Sequence, residues 1–331
     1  MEVYIQEKGS ALRKEKNHFL IETKINSNCI SPEKVTSIIM EDSTSITTGA
    51  IKLAIENDIP LFLSDGLGNI YAKIWKPSFG KNSLVRLQQL KVFNSKYGNK
   101  IGREWIISKI ESQKKHIIKI YQRRNLNCVQ EIKKFNNIIY QIKEIDIRIE
   151  NYSNTIMGYE GIASQLYYSI IEKMLPENIN FTGRINQGAK DIYNAVLNYS
   201  FGILYTKVNH ILTVAGFDTK IGIFHSNLIG KDSFLYDFIE QFRFIAWEVT
   251  FRLFSRKIFK KSYFDENVKL LTLEGRRVIL EEMYQKLNRV NDIDNEKYSY
   301  NELMKKITYN LRKDLLENEI YNSLWYFTSK K

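Results

Sequence analysis

Cysteine is nearly missing from this chain: Cys29 and Cys128 are the only two, far apart and outside any CxxC spacing. That scarcity argues against a disulfide framework and against a thiolate zinc site, and both thiols read as reduced and structural. Long apolar runs are missing too. None reaches the roughly 18–20 residues that a membrane span needs, and the longest helical stretches carry charge throughout. The first residues, Met1-Glu2-Val3-Tyr4-Ile5-Gln6-Glu7-Lys8, lack the basic-then-apolar profile of a signal peptide. There is no 20–50-residue repeat and no low-complexity tract. The chain reads as cytoplasmic, with no membrane partner.

What is present sets the class. A hydrophobic content of 44% is enough for packed cores and argues against global disorder. At 331 residues the chain reads as two domains, since single cores stop growing at about 250–300 residues. Lys and Arg number 49 against 37 Asp and Glu, a formal charge of +12. Such an excess favours a polyanion, either nucleic acid or an anionic membrane face. Abundant Lys, Asn and Ile also fit a lysine-rich protein from an AT-biased genome, so charge alone leaves both readings open.

The expected fold class is α+β: a small N-terminal β-rich, β-sandwich-like domain followed by a larger all-α domain. Val3–Ile5, Phe19–Ile21, Val35–Met40, Pro60–Leu63 and Ile70–Ile74 carry strand patterns, with turns at Gly9-Ser10 and Asp65–Asn69. One short helix is expected over Thr47–Asn57. Pro and Gly in Trp75–Gly80 mark the boundary. The division is residues 1–76, a linker at 77–82, and 83–331. Ser83 is the expected N-cap of the first long helix. Long helical stretches follow over 101–149 and 189–215, with Gly216 as the C-terminal stop of the second. One further helix is expected from Asp232-Ser233 past Leu253, and the last 40 residues read as charged and helical.

Three acids and one histidine stand out between residues 160 and 240. Leu235, Phe238, Ile239, Phe242, Ile245, Ala246, Val249 and Leu253 form one apolar stripe, and Asp237 and Glu240 project from a neighbouring face. Two like charges at that spacing repel. A bound cation relieves this, and so does a facing Lys or Arg, while an ordinary solvated acidic pair needs neither. Glu160 precedes Gly161 inside a helical pattern, where Gly costs about 1 kcal/mol relative to Ala. A DNA backbone passing close by explains the missing side chain, and helix packing explains it equally. His225 follows Gly222-Ile223-Phe224 on a loop and reads either as structural or as a ligand. Taken together, carboxylates and an imidazole suit a hard divalent cation rather than a zinc staple.

The order of these segments resembles the family of the CRISPR-associated integrase that inserts new spacers into CRISPR arrays, the first-numbered Cas protein. The resemblance runs through Asn82–Gln89, Lys100–Gly102, Lys109–Gln113, Glu160-Gly161, Phe181–Arg184, Asn194–Tyr199, Gly222–His225 and Phe234–Arg243. It departs at Ile185–Asp191, which has no proline where the family commonly has a proline-rich stretch. The resemblance implies an N-terminal β domain for dimerisation and a helical catalytic domain. It implies that Glu160, His225 and Glu240 hold the cation, Mg²⁺ or Mn²⁺, with Asp237 as an auxiliary acid. It implies a homodimer, two of which assemble on a dimer of the small second-numbered Cas protein and hold double-stranded DNA. The implied reaction joins 3′-hydroxyl ends of prespacer DNA to the CRISPR repeat, with an associated endonuclease activity.

Phosphate contacts are expected to dominate binding and to weaken steeply with salt. Lys109–Glu150 holds ten Lys or Arg against five Asp or Glu, and Arg252–Arg277 holds eight against three. Lys114, Lys115, Lys119, Arg123 and Arg124 are placed to track a duplex, or else form a solvated helix face. Arg184 and Arg243 lie inside matching motifs, and Arg243 reads alternatively as a clamp on Glu240 or Asp237. Competing readings are a transposon-encoded integrase of the same family, a branched-DNA repair nuclease, and a non-catalytic nucleic-acid scaffold.

Overall fold

Eight strands and one helix build the N-terminal part of the computed structural model, which describes residues 1–65, 70–75, 82–149, 151–185, 188–224, 231–293 and 296–317. The strands are β1 (Glu2–Ile5), β2 (Ala11–Glu15), β3 (His18–Glu22), β4 (Ser27–Ile30), β5 (Ser37–Glu41), β6 (Ser45–Ile46), β7 (Leu61–Ser64) and β8 (Ile70–Ile74), with α1 (Thr48–Glu56) between β6 and β7. One sheet has the order β1-β5-β7-β8 and the other β4-β3-β2-β6. In the first, β1, β5 and β7 are parallel and β8 returns antiparallel, Leu61 facing Ile74. Parallel neighbours need a crossover, and α1 supplies it between β5 and β7. Thr47 caps α1 as its hydroxyl accepts from the Ala50 N–H at 3.3 Å. Val3, Ile5, Ile38, Met40 and Leu61 from one sheet, Leu12 and Phe19 from the other, and Ala50 and Leu53 from α1 share one buried core. All five residues of β5 are buried, as a central parallel strand requires.

The chain separates into two compact units, and the first is discontinuous: Met1–Gly80 together with Ser262–Arg277. The later segment contributes a ribbon of β9 (Phe264–Asp265) and β10 (Leu270–Leu271), and its Arg276 guanidinium pairs with the buried Glu41 carboxylate of β5.

The second unit, Lys81–Lys261 with Val278–Lys331, is mainly helical. Its helices are α2 (Asn82–Phe93), α3 (Lys96–Arg123), α4 (Val129–Glu144), α5 (Tyr152–Met174), α6 (Ile192–Val214), α7 (Ser233–Ile239) and α8 (Phe244–Ser255). Then come α9 (Leu273–Asn288), which starts in the first unit, and α10 (Tyr300–Glu317). α6 begins at Asp191, whose Oδ1 accepts from the Asn194 N–H at 2.8 Å, and ends before Gly216 at φ 90°. Trp105 of α3 sits edge-on to Phe238 at 5.4 Å and close to Phe234, fixing α7 on α3. Among the described residues no helix is long and apolar enough to cross a membrane.

Four local expectations change. Ser83 lies within the first turn of α2, which already starts at Asn82, so it is not the N-cap. The stretch 101–149 is two helices, because Asn125 takes a left-handed φ of 53° after α3. The helix expected from 232 past 253 breaks at a 3-10 turn over Glu240–Phe242. Gln241 Nε2 donates to the Phe238 carbonyl at 3.1 Å and so satisfies that acceptor at the break. Near the C-terminus, β11 (Val290–Ile293) and β12 (Glu296–Ser299) form an antiparallel hairpin inside a region expected to be helical throughout.

Candidate active site

α3 carries a polar stripe within its buried face. Trp105, Lys109, Gln113 and His116 recur every three or four residues, and all are buried. α5 runs beside α3 and presents Glu160. The 3-10 turn after α7 presents Glu240 from another direction, with only 5% of that residue exposed. The Lys109 ammonium meets both acids: it pairs with Glu160 Oε1 and lies 2.6 Å from Glu240 Oε2.

Neighbours hold each carboxylate in place. Ser164, one turn along α5, donates its hydroxyl to Glu160 Oε1 at 3.0 Å. Arg243 Nε donates to Glu240 Oε1 at 2.7 Å, and its guanidinium lies over the Phe201 ring at 4.8 Å. Burial pushes the Glu160 carboxyl up, but the Lys109 charge and its hydrogen bond, with Ser164 and Arg243, outweigh that and hold it below the usual carboxylate range. For Lys109 burial favours the neutral amine, and the two carboxylates reverse this, so the ammonium stays charged. Against the two acids stand Lys109 and Arg243, and the cluster is neutral overall.

The group lines an open cavity of about 640 Å³ whose other walls include Gln165, Tyr168, Gly183, Arg184 and Trp247. Trp247 Nε1 donates to the Tyr168 hydroxyl at 3.0 Å, which fixes one wall. Asn194 fixes another: its Nδ2 donates to the Gly183 carbonyl at 2.9 Å, and its Oδ1 accepts from the Ile185 N–H at 2.9 Å and from Arg184 at 3.1 Å.

Asp237 is placed differently from Glu240 despite the three-residue spacing. Its Oδ2 accepts from the backbone N–H groups of Ile223 at 2.6 Å and Phe224 at 3.1 Å. The same segment is packed from two more sides. A Cβ on Gly222 would stand 2.6 Å from Ser233 Cβ, and one on Gly102 of α3 would stand 2.7 Å from the Phe224 ring. Asp237 and these two glycines thereby fix the backbone that leads into His225. His225 itself lies outside the described residues.

A family model described as CRISPR associated protein Cas1 matches residues 3–285. The chain belongs to the Cas1 family. It is 31% identical over 287 residues to the "CRISPR-associated protein Cas1 3" of Methanobrevibacter ruminantium, covering 85% of this chain and 86% of that one. It is 25% identical over 319 residues to the "CRISPR-associated endonuclease Cas1 1" of Archaeoglobus fulgidus, covering 91% and 88%. Among solved structures, a casposase bound to integration product superposes with a TM-score of 0.83 at 19% identity, covering 100% of this chain and 96% of that one. A Cas6-RT-Cas1–Cas2 complex does so with 0.84 at 17% identity, covering 100% of this chain and 36% of that chain. The likeness in fold extends over the whole chain, so the β-rich part and the helical part are both those of a Cas1 protein.

Within this Cas1 chain the structure brings Glu160, Glu240 and Arg243 together and sets Asp237 behind them as an anchor. The two acids suit a hard divalent cation. Their oxygens converge on one cationic nitrogen, Lys109 Nζ, which stands 2.6 Å from the buried Glu240 Oε2. Among the described residues no cluster of three or more His, Cys, Asp or Glu gathers to hold a metal. The basic candidates scatter. Lys114 pairs with Glu111 at 2.7 Å and donates to Asn136. Arg124 donates to the Met174 carbonyl at 2.6 Å and closes the end of α5. Lys119 pairs with Glu248 of α8. Lys115 and Arg123 have exposed side chains on α3.

Lys109 is the site residue that sequence reasoning passed over. It lay inside a matching segment, but as one of many lysines. The available signal was its register: Lys109 falls four residues after Trp105 and four before Gln113, on the helix face that turns inward.

Proposed function

We propose that this chain is a metal-dependent DNA integrase of CRISPR adaptation that joins 3′-hydroxyl ends of short prespacer DNA to the CRISPR repeat. The observation that carries the reading is the convergence of Glu160 and Glu240, from two different elements, on one cationic position in the wall of an open cavity. Family membership, and a fold shared with a casposase caught with its integration product, support strand transfer as the reaction.

Glu160 and Glu240, with His225 as third ligand, would hold Mg²⁺ or Mn²⁺. When bound there, such a cation supplies Lewis-acid charge to a phosphoryl oxygen and lowers the barrier to in-line attack. The chain's own part is positioning. Arg243 and Ser164 fix the carboxylate oxygens, Asp237 anchors the backbone before His225, and Arg184 faces the cavity with its charge. Tyr168 and Trp247 wall one side. The attacking group is the DNA 3′-hydroxyl. One phosphodiester bond forms and one breaks, a new 3′-oxygen leaves, and the proton passes from the entering to the leaving oxygen. No energy source beyond the broken bond is required.

The outer face of α5 supports access by a duplex. Among the described residues a Cβ on Gly158 or Gly161 would meet nothing within 4 Å, so packing among those residues does not account for either glycine. A homodimer, two of which assemble on a dimer of the small Cas2 protein, completes the reading. The shared fold with a Cas1–Cas2 complex supports that partner.

The test is strand transfer. Labelled short duplex with free 3′-hydroxyls is mixed with supercoiled plasmid in Mn²⁺ or Mg²⁺, with and without the small partner. Joining that requires the cation and is abolished by Glu160→Ala and by Glu240→Ala is the expected result. Nicking without joining would move the assignment to a nuclease. DNA binding with no cation-dependent product would leave a scaffold.

A further inference from the structure

The geometry points to Lys109 as a tethered counter-ion that occupies the divalent cation's place between Glu160 and Glu240 and must be displaced for the cation to bind; this rests on the metal-dependent reading above. A lysine buried to this degree is rare unless it is paired. Here it is paired twice, with acids from two separate elements. Without it the acids would face each other with only Arg243 close by to offset them. The chain thus carries its own substitute for the ion, and the site is assembled before any ion arrives.

Carboxylate oxygens bind a divalent cation at about 2–2.6 Å. Lys109 Nζ already stands 2.6 Å from Glu240 Oε2, the one oxygen of that carboxylate not tied to Arg243. Two cations do not share that position. With all four side chains in place the cluster is neutral, and an incoming ion would add two positive charges beside an ammonium and a guanidinium. Release of Lys109 removes the closest repulsion. The side chain has room to move, since Lys109 lines the open cavity. Its flexible stem would carry the ammonium toward the phosphate of a bound DNA strand, where the charge is again matched.

The experiment measures binding of Mn²⁺ alone to the full-length protein, by electron paramagnetic resonance of free Mn²⁺ and by calorimetry. Lys109→Met removes the competing charge and is expected to bind Mn²⁺ about tenfold more tightly than wild type. Lys109→Arg keeps the charge and should stay within about threefold of wild type. In chelator the Met variant should melt below wild type, and saturating Mn²⁺ should raise its melting temperature more than it raises that of wild type. Wild type that binds Mn²⁺ beside a Met variant that binds no tighter would overturn this inference and leave the integrase reading standing. Absence of Mn²⁺ binding by both wild type and the Met variant would overturn both. Should the Met variant fail to fold, the Lys109 ammonium resonance of wild type decides. The sheltered Lys109 ammonium resonance should disappear into solvent exchange when Mg²⁺ saturates the protein, and a resonance unmoved by bound Mg²⁺ would overturn the exchange.

Discussion

At Gly102 and Gly222 an added Cβ would stand 2.7 Å from the Phe224 ring and 2.6 Å from Ser233 Cβ, whereas at Gly158 and Gly161 it would meet nothing within 4 Å. The first pair lies on the inner side of the acids and the second on the outer side. The inner glycines let segment 222–224 sit tightly against α3 and α7. The outer ones leave α5 bare beside Glu160, where nothing among the described residues needs the space. A missing side chain therefore carries two opposite meanings in one site, and only the surrounding volume separates them.

Acid tests the inner side most strongly. His116, one stripe position beyond Gln113, accepts or donates at 2.7 Å to the Tyr167 hydroxyl. Burial, opposed by Glu248 and reinforced by Lys119, Lys286 and Arg123, lowers its pKa from 6.5 to about 4. Between those values the unfolded chain binds a proton that the folded chain refuses, so stability falls as pH drops through that window and levels off below it. The loss amounts to about 3 kcal/mol. Melting curves from pH 7 to 4 should show it, and His116→Gln should flatten the slope. Glu248 adds a separate, lower window. Its pKa is held at about 2 because Lys286, His116 and Lys119 outweigh its burial, so its contribution is lost only as pH falls from 4.5 toward 2.

Gly222→Ala comes next. The atoms in the way include the Ser233 backbone carbon at 2.8 Å, which cannot swing aside. A loss of about 1–3 kcal/mol is expected, measured by denaturant unfolding, with strand transfer falling further than stability because the path to His225 shifts. Gly102→Ala should behave alike and more mildly, since a ring edge yields more readily than backbone. Asp237→Asn sharpens the contrast between anchor and ligand. It should cost about 1.5–3 kcal/mol from weakened bonds to two N–H groups while leaving Mn²⁺ affinity within about threefold of wild type.

Gly161→Ala has the smallest effect on stability and the opposite sign. With open space for its Cβ the substitution should stabilise the protein by about 1 kcal/mol. Duplex affinity, read by fluorescence anisotropy, should nevertheless fall. A variant that is more stable and binds DNA as well as wild type would remove the argument that the outer face is kept bare for a duplex.

The α+β architecture was legible because the N-terminal strand patterns and their Gly and Pro punctuation differ so plainly from the helical periodicity of the remaining chain. The break after Ile239 was not. Phe238, Phe242, Ile245 and Val249 keep helical spacing straight through the 3-10 turn, so periodicity continues where the backbone geometry changes. That turn explains why Asp237 and Glu240, neighbours on an ideal helix face, end with different partners. Spacing placed both acids near the site but could not assign them separate roles. The C-terminal hairpin was hidden by composition, since Glu296-Lys297-Tyr298-Ser299 lacks the β-branched residues that mark a strand. Lys109 was hidden by abundance, because in a chain with 49 Lys and Arg one inward-turned lysine has to be found by register rather than by count.

The pairing of Glu41 with Arg276, 235 positions apart, bears on how the protein is made. Glu41 is buried, and burial raises its pKa despite the opposing pull of Arg276. A ribosome delivers the eight strands first and the guanidinium only after α2 to α8 have emerged. Until then the nascent N-terminal unit holds a carboxylate without its partner and stays incomplete. The two units therefore do not mature one after the other in chain order. The N-terminal unit is begun first yet cannot close until Lys81–Lys261 of the helical unit has been made, and the helical unit itself waits for Val278–Lys331.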